Sequence, residues 1–163
     1  MRVICVQRAS SEVRIIDHIP GGGILLSDYV AELEAKKYRY GTDYIPHDGR
    51  AKQSGTGKST EEMLAAMGRR VHVIPVADVE EGIRGAAQLL PRVWVDKGRC
   101  SEWMDGMKRY RRHINKETGA VGGPVHDDAS HDADTTRYLG AVADQMSNDE
   151  YGDKINYPKI GYR

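Results

Sequence analysis

The sequence has little cysteine, no long apolar run and no net charge. Its two cysteines, Cys5 and Cys100, fit neither a zinc-ligand spacing nor a CxxC redox motif. We expect both to be small buried apolar residues and expect no disulfide. No run approaches the ~18 to 20 apolar residues that span a bilayer, and the apolar stretch at the N-terminus is too short for a signal peptide. The sequence therefore predicts a soluble, intracellular protein with no membrane partner.

Length and composition are those of one globular domain. The chain has 163 residues, of which 39% are apolar and 29% are charged. These values disfavour wholesale disorder, collagen-like repeats and a disulfide-stapled miniprotein. We predict one domain over residues 1–146. The polar segment 147–163 has no apolar period and is predicted to be a weakly ordered tail.

The zero net charge conceals a separation of charges along the chain. Residues 97–116 carry seven basic and two acidic residues, a net charge of +5. Residues 127–153 carry one basic and eight acidic residues, a net charge of −7. This pattern suits a protein that holds a polyanion on one surface and a divalent metal on another. Ordinary solvated helix faces would produce the same pattern.

Strands and helices alternate after an opening hairpin. The β-branched runs Val3–Arg8 and Val13–Ile19 predict two antiparallel strands, and capping sequences at Ser59 and Asp78 predict the starts of two helices. The other predicted elements are a helix from Ser27 to about Tyr38, short strands at 44–48, 71–75 and 93–95, a glycine-rich loop or hairpin at 115–124, and a last helix starting at Asp127 or Ser130. This order predicts an α/β domain with a mixed central sheet and helices packed on it.

One further helix is predicted from apolar periodicity. Four apolar residues recur at positions i, i+4, i+7 and i+11, which is the spacing of one helix face. They are Trp103, Met107, Tyr110 and Ile114. We predict an amphipathic helix over residues 101–114 that turns this face to the core.

The segment Gly55–Ser59 is similar to the end of a nucleotide-binding P-loop. A P-loop requires a glycine five positions before Gly57, and that position holds Lys52. The capping role predicted for Ser59 already explains the end of the segment. We therefore expect a loop that leads into a helix and no nucleotide site.

Two histidine–carboxylate groups are candidates for chemistry. Asp48 follows His47 at the end of a predicted strand, where ligands bind in α/β sheets; taken alone, this pair is more typical of a turn or cap. His131 and Asp134 are three positions apart on the last predicted helix. They share a face of that helix, so an imidazole and a carboxylate can converge on one metal.

The segment 126–134 is rich in oxygen ligands. It holds four carboxylates and two imidazoles, more than one helix cap requires, and such a set favours Mg²⁺ or Mn²⁺ over structural zinc. A helix-capping role at the positive end of the helix dipole is the alternative for Asp127 and Asp128. Asp132 is predicted to point into solvent.

Seven short segments carry a resemblance to a known family. In order along the chain they resemble motifs of the C-terminal nuclease domain of tailed-phage terminase large subunits, over about residues 3–143. The resemblance implies an RNase H-like fold and a Mg²⁺- or Mn²⁺-dependent two-metal endonuclease that cuts concatemeric viral DNA during packaging. The segments are Tyr44–Asp48, Gly55–Ser59, Val79–Ile83, Leu89–Arg92, Tyr110–Arg112, Pro124–Asp127 and Ser130–Asp134.

The resemblance assigns roles by position. Asp48 matches the acid at the end of a central strand, Asp134 with His131 matches the metal-binding pair of the last helix, and Asp127 matches a further motif acid. Asp48, His131 and Asp134 would be catalytic, and all four would be metal ligands. Phosphates of double-stranded DNA would be bound by basic side chains of the predicted helix 101–114, namely Lys108, Arg109, Arg111 and Arg112.

The resemblance also implies a set of partners and a cellular location, and it shows that one expected metal ligand is missing from the opening strand. The expected partners are the terminase ATPase domain, the small terminase subunit and the portal, in the cytoplasm of the bacterial host. The family carries its first metal-bridging aspartate early in the opening strand, whereas the first acid here is Glu12. Either that aspartate lies upstream of Met1, or Asp17 replaces it, or the chain is a degenerate DNA-binding and packaging module that does not cut.

Overall fold

The computed structural model describes residues 1–21 and 25–147; the predicted tail lies outside these residues except for residue 147. The strands of the described chain are β1 (Val3–Ala9), β2 (Glu12–Ile19), β3 (Thr42–Ile45), β4 (Arg70–Val73), β5 (Val93–Val95), β6 (Arg112–Ile114) and β7 (Val121–Pro124). The helices are α1 (Leu26–Ala35), α2 (Thr60–Ala66), α3 (Val79–Leu89), α4 (Ser101–Arg109) and α5 (Asp128–Val142). Single 3₁₀ turns occur at His47–Arg50 and Leu90–Arg92.

The strands form three sheets in an α/β arrangement. The first sheet has the order β1-β2-β5, with β1 and β2 antiparallel and β5 parallel to β2. β3 and β4 form a parallel pair, and β6 and β7 form an antiparallel hairpin. The α/β class and the opening hairpin are therefore confirmed. The predicted single central sheet is not found among the described residues. Their strands form three separate sheets, and β1 and β3, whose pairing would join two of them, each have one edge without a strand partner among those residues.

Helix α1 packs against two of the sheets. Tyr29 and Leu33, four residues apart, lie in a core cluster with Cys5 and Ile19 of the first sheet. Val30, one position further round the helix, lies in a second cluster. That cluster contains Ile45 of β3, Leu64 of α2 and Val73 of β4. Helix α1 is thus the apolar link between the β1-β2-β5 sheet and the β3-β4 sheet.

The largest core cluster lies between β2 and helices α3, α4 and α5. Its buried members are Val13, Ile15, Leu89, Cys100, Trp103, Leu139 and Ala143. Cys5 and Cys100 are both buried free thiols, as predicted. Burial raises the pKa of each thiol to about 11, so both are protonated and unreactive at neutral pH.

Two helix starts form as their capping sequences predict. The Ser59 hydroxyl accepts from the Glu62 backbone N–H at 3.1 Å, and the Glu62 carboxylate accepts from the Ser59 N–H at 2.8 Å. The Asp78 carboxylate accepts from the N–H groups of Glu80 and Glu81. These bonds satisfy backbone donors that a helix start leaves free.

Helix α4 is shorter than its apolar pattern predicts. It ends at Arg109, Tyr110 adopts an extended backbone, and Ile114 is 59% exposed rather than in the core. The Asn115 side chain accepts two backbone N–H groups of the following turn, and Gly119 supplies a left-handed residue there. This turn closes the β6-β7 hairpin, so strand pairing removes Arg112–Ile114 from the helix.

Candidate functional site

Asp127 caps the last helix. Its Oδ1 accepts from the Ala129 backbone N–H at 3.1 Å, and its Oδ2 accepts from Arg111 Nη1 at 2.7 Å. Both carboxylate oxygens therefore have partners within the protein. This is the capping role that the sequence left open beside the role of metal ligand.

Asp134 is held by an arginine one turn further along α5. Arg137 Nη2 donates to Asp134 Oδ1 at 2.6 Å, while His131 on the preceding turn is exposed. The Arg137 stem lies against α3, where a Cβ at Gly82 would be in ordinary contact with it at about 3.5 Å. Asp134 is thus a half-buried, ion-paired carboxylate.

Asp48 lies in the 3₁₀ turn that follows β3 and is exposed. Its charge reaches Tyr138 of α5, as does the charge of Asp134. Burial raises the pKa of the Tyr138 phenol, Arg137 opposes this, and the two aspartates raise the pKa further. Asp48 and Asp134 are far apart in the sequence but act on the same phenol.

A cavity of about 250 Å³ lies beside Asp134. Its walls come from α3, from the end of β7 and from α5, so the candidate carboxylate opens into a concave surface. The lining includes Val79, Tyr110, Val125, His126, Ser130 and Arg137. The Ser130 hydroxyl donates to the Asp127 carbonyl at 2.7 Å and lies 3.5 Å from His126 Nδ1.

The acids of the site do not form a metal cage. Among residues 1–21 and 25–147, no group of three or more His, Cys, Asp or Glu side chains is placed to hold a metal ion. Asp127 and Asp134 also accept hydrogen bonds from Arg111 and Arg137 respectively. These donors, as arranged, do not fit a two-metal centre, which needs several free carboxylate oxygens around both ions.

Asp17 does not offer a replacement ligand. It is 5% exposed and accepts from Lys36 Nζ at 3.1 Å, from the Tyr38 hydroxyl at 3.0 Å and from the His18 backbone N–H at 2.9 Å. Burial opposes ionisation, but these hydrogen bonds outweigh it and lower the pKa of Asp17. Its role is to join β2 to the chain that follows α1.

The prediction that Asp132 faces solvent is wrong. Its side chain is fully buried, and Arg2 Nη1 donates to its Oδ2. Arg2 also binds Asp128, through Nη2 at 2.5 Å. The buried face of α5 extends two turns N-terminal to Leu139, and its members have the spacing i, i+4, i+7 and i+11 that one helix face requires. These residues are Asp132, Thr136, Leu139 and Ala143.

A buried histidine completes this polar cluster. His18 Nε2 lies 3.4 Å from Asp132 Oδ1, and neither atom has a hydrogen bond among the described residues. Burial lowers the pKa of His18; the Asp132 charge opposes this effect, and Arg2 adds to it. No motif in the sequence joins His18 to Asp132, so sequence reasoning missed this contact.

The four basic residues predicted to bind DNA all have acidic partners. The acids come from α3, α4 and the start of α5, and two of them, Asp127 and Asp128, belong to the acid-rich segment. Such exposed pairs are weak and open to exchange. The pairs are Lys108 with Asp105 at 3.2 Å, Arg109 with Asp128 at 3.9 Å, Arg111 with Asp127 at 2.7 Å, and Arg112 with Glu80 at 2.6 Å.

The glycine-rich segment forms an ordinary loop. Gln53 N–H donates to the Lys58 carbonyl at 3.0 Å, Gly57 N–H to the Gln53 carbonyl at 2.8 Å, and Lys58 N–H to the Thr56 hydroxyl at 3.3 Å. These N–H groups are used inside the loop, whereas a P-loop aims its N–H groups at phosphate. The loop leads into the cap of α2, as the sequence predicts.

Comparison with known proteins finds no family model, no curated protein and no solved structure that matches the chain. Within the part of the chain that the structure describes, no helix has both the length and the apolar character needed to cross a membrane.

Proposed function

We propose that this chain is a DNA-binding module of the type found in the nuclease domain of tailed-phage terminase large subunits, and that alone it cuts DNA weakly or not at all. The order of the seven motifs supports this family, whose fold is RNase H-like. The observation that carries the proposal is the state of the carboxylates: Asp127 and Asp134 are paired with arginines, and no described cluster holds three metal ligands.

The small number of candidate carboxylates without an arginine partner bears directly on cleavage. Hydrolysis of a phosphodiester by a two-metal centre needs carboxylates that offset the repulsion of two dications. Mg²⁺ demands near-ideal octahedral geometry, so it tolerates a missing ligand less well than Mn²⁺ does. Cleavage by this chain should therefore be weak with Mn²⁺ and absent with Mg²⁺.

A Mg²⁺- or Mn²⁺-dependent endonuclease is the second candidate. It is favoured by the charges of Asp48 and Asp134, two acids from distant elements that both lie within electrostatic range of the Tyr138 phenol. In this function Asp48, His131 and Asp134 would be catalytic, and Asp127 would be a further metal ligand. The substrate would be concatemeric viral DNA in the bacterial cytoplasm, with the terminase ATPase domain, the small subunit and the portal as partners.

Plasmid nicking and duplex binding separate the two candidates. The purified chain is incubated with supercoiled plasmid in Mg²⁺, Mn²⁺ or EDTA, and its binding to a short labelled duplex is measured in EDTA. We expect salt-sensitive binding of the duplex, nicking near background with Mn²⁺, and none with Mg²⁺. Lack of duplex binding at low salt would overturn the binding module.

Three variants make the nicking result specific. Asp48→Asn and Asp134→Asn remove candidate ligands at nearly constant size, and Glu117→Gln makes the same change at an exposed turn residue. Strong Mg²⁺-dependent nicking that is lost in the first two variants and kept in the third would establish the endonuclease and overturn the weak-cutting proposal. Nicking that is equal in all three variants would point to a contaminating nuclease.

A further inference from the structure

The loop at residues 50–58, here the lysine loop, is basic and fully exposed. It carries three basic residues, Arg50, Lys52 and Lys58, and no acid. All nine of its residues are exposed. A surface segment of one charge sign, without an interspersed acid, attracts a polyanion.

The lysines of this loop lack the acidic partners that the 108–112 cluster has. Arg50 lies 3.4 Å from Glu61, but the ammonium groups of Lys52 and Lys58 have neither a hydrogen bond nor an ion pair within residues 1–21 and 25–147. The Glu62 carboxylate accepts from the Ser59 N–H, which lowers its pKa; the charges of Lys52 and Lys58 lower it further but form no ion pair with it within the described residues. Two cations therefore remain available to an external anion.

The loop is held in shape by its own backbone. The bonds from Gln53 to Lys58 and from Gly57 to Gln53 close it, and the buried Ser59 anchors its end to α2. A Cβ at Gly55 or Gly57 would meet no atom within 4 Å, so the loop surface is open. A preformed, open surface loses little conformational entropy when a rigid partner binds.

The lysine loop is joined directly to the candidate site. It continues from the 3₁₀ turn that carries Asp48, and the Ala51 N–H donates to the Asp48 carbonyl at 2.9 Å. Lys52 follows Asp48 by four residues, so its Cα can lie no more than about 14 Å from that of Asp48. Lysine binds phosphate as a flexible point charge and reads no base, which suits binding that tolerates any sequence.

From these observations we propose that the lysine loop, rather than the 108–112 cluster, is the main surface that grips the backbone of duplex DNA and presents it to Asp48. This inference rests on the proposed function, because it assumes that the chain binds DNA. It gives a binding role to the glycine-rich segment, in which the N–H groups of Thr56, Gly57 and Lys58 already have acceptors within the loop.

Salt titration of duplex binding tests this assignment. Fluorescence anisotropy in EDTA gives log K against log salt for the wild-type chain and for three double variants. Lys52→Ala with Lys58→Ala should reduce the slope by roughly two, about 0.9 per lost phosphate contact. Lys97→Ala with Lys116→Ala removes the same charge from other exposed positions and should leave the slope nearly unchanged. Arg109→Ala with Arg112→Ala should reduce the slope less than the loop variant does, because each of these side chains must leave an acidic partner before it binds a phosphate.

The outcomes separate this inference from the proposed function. If the wild-type chain binds DNA and the loop variant keeps its slope, the lysine loop is not the gripping surface, while the DNA-binding module stands. An equal reduction in all double variants would indicate diffuse attraction and would also overturn the inference. If the wild-type chain does not bind, the proposed function itself fails.

A nucleotide control excludes a free phosphate ligand. Mg-ATP should give no thermal shift, because the N–H groups of Gln53, Thr56, Gly57 and Lys58 are used inside the loop. A shift that disappears in the Lys52→Ala, Lys58→Ala variant would assign the loop to free nucleotide and overturn the assignment to DNA.

Discussion

The buried carboxylate of Asp132 is stabilised by groups that the sequence places far from it. Arg2 precedes β1, His18 lies near the end of β2, and both meet Asp132 at the buried face of α5. Gly106 of α4 provides the space, since a Cβ there would overlap the Asp132 carboxylate. Burying a charge is costly unless it is paired. Three elements are therefore positioned around one side chain.

The buried His18 side chain, which has no hydrogen bond through Nε2 within the described residues, predicts a pH dependence of stability. Burial lowers the pKa of His18, so the folded state resists protonation while the unfolded chain takes up a proton below about pH 6.5. The unfolded state then binds more protons, and the free energy of unfolding falls as the pH is lowered from 6.5 toward the folded-state pKa. Urea unfolding between pH 8 and pH 5 should show a smaller decrease for His18→Gln than for the wild-type chain.

A matched variant isolates the buried position. His113 is exposed in β6, so His113→Gln should follow the wild-type pH dependence closely. Taking differences between variants cancels the carboxylates that titrate in all of them. A constant difference between His18→Gln and wild type across the pH range would show that His18 does not titrate differently on folding.

At the scale of elements, α3 and α5 approach each other through glycine. A Cβ at Gly140 would lie 2.7 Å from the Ala86 backbone N and 2.9 Å from the Gly85 carbonyl carbon. Those atoms belong to a helix backbone and cannot move aside as a side chain can. Gly82, on the same pair of helices, would place a Cβ 3.5 Å from the flexible Arg137 side chain. A glycine-to-alanine substitution would therefore clash with backbone atoms at Gly140 but make an ordinary side-chain contact at Gly82.

Gly140→Ala should therefore destabilise the fold, and Gly82→Ala should not. We expect Gly140→Ala to lower the free energy of unfolding by about 1–3 kcal/mol, because it forces the two helices apart. Gly82→Ala should be neutral or should stabilise by up to about 1 kcal/mol, because alanine favours the helix. Urea denaturation of both variants gives the comparison. Equal effects at the two positions would rule out close backbone packing as the reason for Gly140.

Elements set by local signals were predictable, and those set by pairing were not. The hairpin of β1 and β2 and the caps at Ser59 and Asp78 depend on neighbouring residues, and each forms as expected. The end of α4 depends on a turn at Asn115 that competes with an apolar helical period. The division into three sheets depends on which edges pair across the chain, which periodicity does not encode.

The features of the candidate site likewise divide into those set by local sequence, which were predictable, and those set by long-range pairing, which were not. The helix start at Asp127 follows from a short polar sequence and was anticipated as an alternative to metal binding. The ion pairs of Asp134 with Arg137 and of Arg112 with Glu80 were not predictable, because the sequence offers each side chain several partners of opposite charge. Segregated charge predicted a basic surface, but only the fold shows that the acidic segment lies beside it.

At the scale of the whole molecule, α1 holds two sheets together with two faces. Tyr29 and Leu33 belong to the cluster of β1 and β2, and Val30 belongs to the cluster of β3, β4 and α2. The β1-β2-β5 sheet also contacts the largest core cluster, whereas the buried members of the β3-β4 sheet belong, within the described residues, to the smaller cluster. The half that carries Asp48 and the lysine loop should therefore open at a lower free energy than β2.

Hydrogen exchange of α1 variants tests this division. Val30→Ala removes buried apolar atoms from the β3-β4 cluster and should speed exchange of β3 and β4 amides while leaving those of β2 nearly unchanged. Leu33→Ala should act mainly on β1 and the end of β2, because its neighbours are Cys5 and Ile19. Glu34→Ala, at an exposed position of the same helix, should change neither set. If Val30→Ala and Leu33→Ala instead accelerate all amides equally, the sheets open only together, and α1 joins a single cooperative unit rather than two units of different stability.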